Sequence, residues 1–301
     1  MFSVLKYTKV WFLFSGTLVL GSLVLLAIWG LVPGIDFRGG NLFELEFAKP
    51  VSVSEIRSEL TANGFSNAVI QPVNDKTMII KTENLDNEKV DKFKQILADK
   101  FGESKELQFE SIGPTISKEL VRKAYWQVFL VCSGILLYLA FAFRKTGKGL
   151  KSGYISSWRF GTAAIIALIH DLIITIGFFV ILGKFRGIEI DSLFVTALLT
   201  ILGFSVHDTI VVFDRIREYL QKYPYKNLSE IIDHSINSTL VRSINTTSTL
   251  IFVLLAMLLF GGQTVMYFVL ALLVGVTIGT YSSIFVASPI IYLWAKRRGA
   301  T

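Results

Sequence analysis

Six apolar blocks divide this chain into membrane-crossing and aqueous parts: Trp11–Val32, Tyr125–Phe143, Phe160–Leu182, Leu193–Phe213, Ser243–Phe260 and Val265–Trp294. Each is close to the ~20 residues that a helix needs to cross the hydrocarbon of a bilayer. Lipid offers no partner to a backbone N–H or C=O, so crossing segments of this length must be α-helices. The last block is long enough to include an interfacial end or a tilt. With 52% of its residues apolar and gathered in this way, the chain reads as a polytopic α-helical membrane protein. Residues 1–33 hold the first helix, 34–123 a soluble domain, and 124–301 the other five helices with their loops.

Lys6 and Lys9 precede the first block as the basic flank of a secretory signal would. The block is too long for a signal core, and Ala27-Ile28-Trp29-Gly30 before Pro33 offers no small-x-small cleavage site, so it reads as a retained signal anchor. Cys132, the single cysteine, falls inside the second block and leaves no disulfide framework.

Basic residues set the orientation. Arg144, Lys145, Lys148, Lys151 and Arg159 crowd one short connection; Arg215, Arg217, Lys222, Lys226 and Arg242 mark another; Lys296, Arg297 and Arg298 follow the last block. The positive-inside rule places these stretches and both termini in the cytoplasm. The net charge of +7 is then mainly a topology signal, without the concentrated basic face that a nucleic-acid partner requires.

The one stretch large enough for a soluble domain, Gly34 to Lys123, falls outside the cytoplasm on this orientation. Leu42 to Phe47 alternates as a strand, and Ser52 with Glu55 makes a capping-box start for a helix that closes near Gly64. Asn67 to Val73 and Thr77 to Thr82 read as two strands joined by a turn around Asn74-Asp75-Lys76. Asp86 caps a second helix with the apolar face Val90, Phe93, Ile96, Leu97 and Phe101, and Glu106 to Ile112 gives a last strand. The order βαββαβ is that of an α+β ferredoxin-like domain, an arrangement that by itself implies no function.

The chemistry concentrates in the helices. Asp208, beside His207, lies inside the fourth block about five residues, roughly 8 Å, from its charged exit Asp214-Arg215-Ile216-Arg217-Glu218. Low dielectric makes a permanent charge there costly, so such an acid pairs, faces a cavity or carries an ion. Arg242, at the cytoplasmic start of the fifth block, is a candidate partner, and a static buried pair is the alternative to a switching one. His170-Asp171 in the third block is a second acid, suited to a polar contact with the fourth helix or to a proton relay. Adjacent residues point about 100° apart on a helix, so two His-Asp dipeptides with no third ligand do not make a metal site. His207, Gly203, Thr200 and Thr196 form one face, expected to pack on another helix, and Gly275 with Gly279 is a small-xxx-small packing pair. At the domain junctions, Gly39 and Gly40 suit a tight turn and Asp36 and Arg38 are interfacial charges. No His-Glu-x-x-His zinc motif, phosphate-binding Gly-Lys-Ser/Thr loop or supported Ser-His pairing is present, and neither an enzyme activity nor a cofactor is expected.

Several runs carry a resemblance. Gly34-Ile35-Asp36-Phe37-Arg38-Gly39-Gly40, Ile112-Gly113-Pro114 through Leu120, Leu168-Ile169-His170-Asp171 and Gly203 through Glu218 are similar to segments of the SecF branch of the SecD/SecF protein-export membrane family. Asn237 through Thr247 and Gly279 through Pro289 resemble the fifth and sixth spans of that family. One departure is His207, where the family commonly has Asn. The resemblance implies half of an RND-type transporter, completed by a SecD-like subunit and associated with the SecYEG channel in the bacterial cytoplasmic (inner) membrane. It implies use of the proton-motive force to promote late steps in the export of unfolded polypeptides, with Asp208, Arg242, His207, Asp171 and His170 as proton-coupling residues. It also implies a hinge between domain and membrane at Asp36, Gly39, Gly40, Gly113 and Pro114. A passive assembly subunit and half of a small-molecule RND-type proton antiporter are the alternatives.

Overall fold

The computed structural model describes residues 3–143, 157–223 and 226–296. Arg144, Lys145, Lys148 and Lys151 of one basic loop, and Arg297 and Arg298, lie outside the described residues. In chain order the elements are α1 (Thr8–Trp29), the single turn α2 (Ile35–Arg38), β1 (Gly40–Phe47), α3 (Val53–Ala62), β2 (Val69–Pro72), β3 (Thr77–Thr82), α4 (Asn87–Phe101), β4 (Ser104–Ile112), α5 (Pro114–Ala142), α6 (Ser157–Arg186), α7 (Ser192–Lys222), α8 (Leu228–Phe260), α9 (Gln263–Ser282) and α10 (Ser288–Lys296). Among the described residues, six helices are long and apolar enough to cross a membrane.

α5, α7 and α8 each outrun their apolar blocks by ten residues or more. The 31 residues of α7 and the 33 of α8 reach about 46 and 50 Å at 1.5 Å per residue, against about 30 Å of hydrocarbon. The charged exit of α7 continues as helix because its ions pair one turn apart: Arg215 with Glu218 at 2.6 Å and Arg217 with Asp214 at 2.7 Å. The early turns of α8 bury Ile231, Ile232 and Ile236 in one cluster with Phe213, Ile216 and Leu220 of α7. The sixth block, read from the sequence as one span, is interrupted. A five-residue π turn, Ser283–Ala287, separates α9 from α10. Pro289 cannot donate to the ladder, and in the same turn the Ser288 hydroxyl donates to the Ser283 carbonyl at 3.0 Å.

Within the bundle, α6, α7 and α9 with α10 hold the buried positions, and α1, α5 and α8 are largely exposed. Gly275 and Gly279 bring α9 against α7: a Cβ at Gly275 would overlap the Ile201 side chain, and one at Gly279 would stand 2.8 Å from Ser205 Cβ. Gly275→Val is therefore expected to destabilise the bundle by about 1–3 kcal/mol through overpacking, read as a lower unfolding midpoint of the detergent-purified protein; an unchanged midpoint would show that the two helices separate without cost. The face Thr196, Thr200, Gly203, His207, which the sequence expects to pack on a helix, is exposed among the described residues. α9 takes the opposite side of α7, meeting Ile201, Ser205 and Asp208.

The second compact unit comprises Pro33–Tyr125 together with Glu189–Ser192. Its sheet is antiparallel with strand order β2-β3-β1-β4. Ser52 accepts from the Glu55 N–H while Glu55 accepts from the Ser52 N–H, and Asp86 accepts from the Lys89 N–H, so both helices start where their capping residues dictate. α3 and α4 cover one face of the sheet, burying Ile56, Leu60, Val90, Phe93 and Leu97 on Phe43, Leu45, Phe47, Met78 and Ile80. The register shifts between Glu44 and Leu45, a bulge in the β1–β4 pairing.

Candidate functional site

Two buried carboxylates lie in the bundle, each held by hydroxyl groups from neighbouring helices. Asp208 of α7 is 2% exposed. Thr280 of α9 donates to its Oδ2 at 3.0 Å, and the Thr280 hydroxyl is in turn 2.7 Å from that of Thr247 in α8. One acid thus gathers three helices. Arg242 lies one turn and a little more before Thr247 on α8, but it is exposed, and no ion pair joins it to Asp208 among the described residues. His207, the residue before Asp208 on α7, is exposed.

Asp171 of α6 is fully buried. Its Oδ2 accepts from Ser205 of α7 at 2.6 Å and from Ser282 of α9 at 2.9 Å, while Oδ1 lies 2.9 Å from His170 Nδ1. This is the contact between the third and fourth spans that the sequence suggested, with α9 added. Among the described residues His170 Nε2 is buried without a hydrogen-bond partner, and the ring stacks at 6.4 Å on Tyr281. Beside it, the Ser283 hydroxyl, at the first position of the π turn, lies 2.8 Å from Thr209 Oγ1 and donates to the Gly279 carbonyl at 2.9 Å. π turns inside helices often mark functional positions, and here the end of α9 and the first residue of the turn carry three successive polar side chains: the Tyr281 hydroxyl meets Ser15 of α1, Ser282 meets Asp171 of α6, and Ser283 meets Thr209 of α7.

The hydroxyl partners are what sequence reasoning missed. Thr247, Thr280, Ser205 and Ser282 were not assigned roles by pattern alone. A signal existed in Gly279-Thr280-Tyr281-Ser282-Ser283, a polar run inside an otherwise apolar block. No group of three or more His, Cys, Asp or Glu side chains able to hold a metal ion occurs among the described residues.

The junction residues also come together. Gly40 pairs with Ile112 across β1 and β4, so the start of the domain lies beside its finish. Gly39 and Gly40 have φ of +82° and +146°, and a Cβ on Gly40 would overlap the Thr82 carbonyl oxygen. Pro114 opens α5, where its missing N–H is harmless, and Ser117 closes the turn by donating to the Gly113 and Pro114 carbonyls. Gly113 has open space around it, so sterics do not demand a glycine there. Asp36 Oδ2 accepts from the Ser192 N–H at 2.7 Å.

The pattern of the protein-export membrane proteins SecD/SecF, C-terminal, matches residues 92–297, and that of the SecD/SecF GG motif matches residues 24–51. The chain belongs to the SecD/SecF family. The similarity runs its full length. The SecF translocase subunit of Thermobaculum terrenum is 40% identical over 99% of this chain and 95% of its own, and that of Synechocystis is 35% identical over 97% and 94%. A crystal structure of SecDF, described as a translocon-associated membrane protein, from Thermus thermophilus matches with a TM-score of 0.85 at 32% identity. This family member covers 39% of that SecDF chain, and 98% of its own residues are matched. A second SecDF crystal structure, a super-membrane-facing form, matches with a TM-score of 0.71 at 33% identity. The fold is accordingly that of the SecF portion of SecDF: six membrane helices with one small α+β domain, in a multi-pass membrane protein of the protein-translocation machinery.

Proposed function

We propose that this chain pairs with a SecD-like subunit, associates with a SecYEG channel, and uses the proton-motive force to promote late steps of the export of unfolded polypeptides across the bacterial inner membrane. The observation that carries the reading is Asp208: a buried acid inside a membrane helix, held by neutral hydroxyls with no cation bonded to it. A static ion pair would be the bland explanation for such a residue, and that pair is absent among the described residues. Hydroxyls accept or donate, so Thr280 and Thr247 can serve Asp208 with or without its proton. Arg242 would answer the charge on Asp208 in another state of the cycle. Asp171 with His170, and His207 on the outer face of α7, are the further proton-coupling positions.

A partner half is supported by surface chemistry. Thr196, Thr200, Gly203 and His207 on α7, Arg242, Asn245 and Thr246 on α8, and Thr277 on α9 are all exposed in this chain alone. Polar faces of membrane helices are costly against lipid tails and ordinarily meet another helix or an aqueous path. The 39% coverage of SecDF agrees with a missing half of the transporter. In the proposed orientation both termini are cytoplasmic and the soluble domain is outside.

The test is assembly and topology together. The tagged chain, extracted from its own membrane, is expected to bring down a SecD-like six-span subunit. Single cysteines at Lys76 and Glu103 are expected to react with an impermeant reagent from outside the cytoplasm, and those at Lys148 and Lys226 only after the membrane is opened. Cytoplasmic labelling at Lys76 would overturn the orientation and the export role with it.

A further inference from the structure

The connection between α6 and α7 is built into the soluble domain. Glu189–Ser192 belongs to the same compact unit as Pro33–Tyr125. Pro33 and Ile190 form a parallel bridge, and the Gly34 N–H donates to the Ile190 carbonyl at 2.7 Å. Gly34 leaves room for that approach, since a Cβ there would stand 2.9 Å from the Ile190 oxygen. The Glu189 side chain is 3% exposed and lies between two cations: its Oε1 is 3.0 Å from Arg38 and its Oε2 2.9 Å from Lys81 of β3. Asp36 accepts from the N–H of Ser192, the first residue of α7, and so places a negative charge at that helix N-terminus.

A buried acid held by two cations contributes little net stability, yet losing its charge leaves those cations uncompensated. Such a contact therefore fixes geometry. The residues it fastens are informative by their place in the chain: 33–38 run from α1 to β1, and 189–192 join α6, which carries Asp171, to α7, which carries Asp208. We propose that Glu189 is a positioning residue, a latch that makes the α6–α7 connection part of the domain, so that displacement of the domain is passed along the backbone to the start of α7 and a change at Asp208 is passed back. Coupling of this kind is reciprocal. The inference rests on the proton-driven reading above and deepens it.

Glu189→Gln keeps the size of the side chain and removes its charge. In vesicles containing the full complex with its partner and channel, this variant is expected to retain ATP-driven export and to lose about fivefold or more of the stimulation by an imposed proton gradient, the low end of the usual range of coupling between sites. Exchanging the charges, Glu189→Lys with Lys81→Glu, keeps one acid and two bases in the latch, and Arg38, 35% exposed at its side chain, can turn to water. The exchange is expected to restore most of the stimulation, which a merely structural role for glutamate would not allow. Full stimulation in Glu189→Gln would overturn the latch, as would failure of the exchanged pair to accumulate or to respond to the gradient. If the unaltered complex shows no gradient response, the proton-driven reading fails by itself. The latch is then judged by hydrogen exchange at the Gly34 and Ser192 amides, expected to be faster in Glu189→Gln and overturning the latch if unchanged.

Discussion

Asp208→Asn is expected to abolish the stimulation of export by the proton-motive force while leaving expression, partner assembly and ATP-driven export intact. Asparagine keeps the volume and still bonds the Thr280 hydroxyl, which stands 3.0 Å from Oδ2, but it cannot bind and release a proton. A membrane potential of 100 mV is worth about 2.3 kcal/mol for each charge carried across it. That biases a conformational equilibrium roughly fifty-fold, and only a titrating site can collect it. Arg242→Ala is expected to act in the same direction if the guanidinium swings to Asp208 during the cycle, and Arg242→Lys to be intermediate, since it keeps the charge and loses the planar fork. Gradient-dependent export in reconstituted vesicles measures all three. Full stimulation in Asp208→Asn would remove Asp208 as carrier and leave the passive assembly subunit as the better reading.

The exposed position of Arg242 changes what its variants mean. A static buried pair with Asp208 would make Arg242→Ala a stability defect, because a stranded buried carboxylate costs several kcal/mol. With the two residues apart, Arg242→Ala should fold and assemble normally, so a loss of stimulation in that variant speaks to the cycle and not to the fold.

Much of this architecture was legible because the two solvents impose different patterns. Blocks of about 20 apolar residues announce helices in lipid, and capping residues such as Ser52, Glu55 and Asp86 announce them in water. β3 lies at the bounds that the sequence indicates, Thr77–Thr82, because a run rich in β-branched residues follows the turn at Asn74-Asp75-Lys76. Three things escaped. The lengths of α7 and α8 depend on charged and amphipathic turns beyond the membrane edge, which an apolarity criterion discards. The π turn at Ser283–Ala287 is a matter of backbone hydrogen bonding, to which an apolarity criterion does not respond. The hydroxyl partners of Asp208 and Asp171 come from helices far apart in sequence, and short side chains such as Ser205 and Ser282 carry no periodic signal of their own. Glu189 was visible as an acid in a short loop, but its two cations are distant in the chain and only the folded domain assembles them.

Gly40→Val is expected to be the most damaging change in the soluble domain. Gly40 begins β1, the strand that pairs with both β3 and β4, and it sits at φ +146° with the Thr82 carbonyl where a Cβ would go. Two penalties add: about 1–3 kcal/mol for holding a β-branched residue in a backbone region it avoids and about 1–3 kcal/mol for the collision. Against the 5–15 kcal/mol that stabilises an ordinary domain, this removes a large share. Limited proteolysis of membranes should therefore cut the domain of Gly40→Val well before the unaltered one, with all six helices still inserted. Gly39→Val carries the strain of φ +82° but a gentler approach, 3.2 Å from the Ile112 oxygen, and should fall between. Gly113→Val, with open space around its Cβ, should be nearly neutral. The order of the three separates packing from hinging. If the glycines serve only the fold, loss of export follows loss of protease resistance through the series. A hinge requires that Gly39→Val impair export while its domain remains resistant, because conformational freedom at that position would then be needed for motion after folding is complete. Equal resistance in Gly40→Val and Gly113→Val would refute the steric constraint at the start of β1.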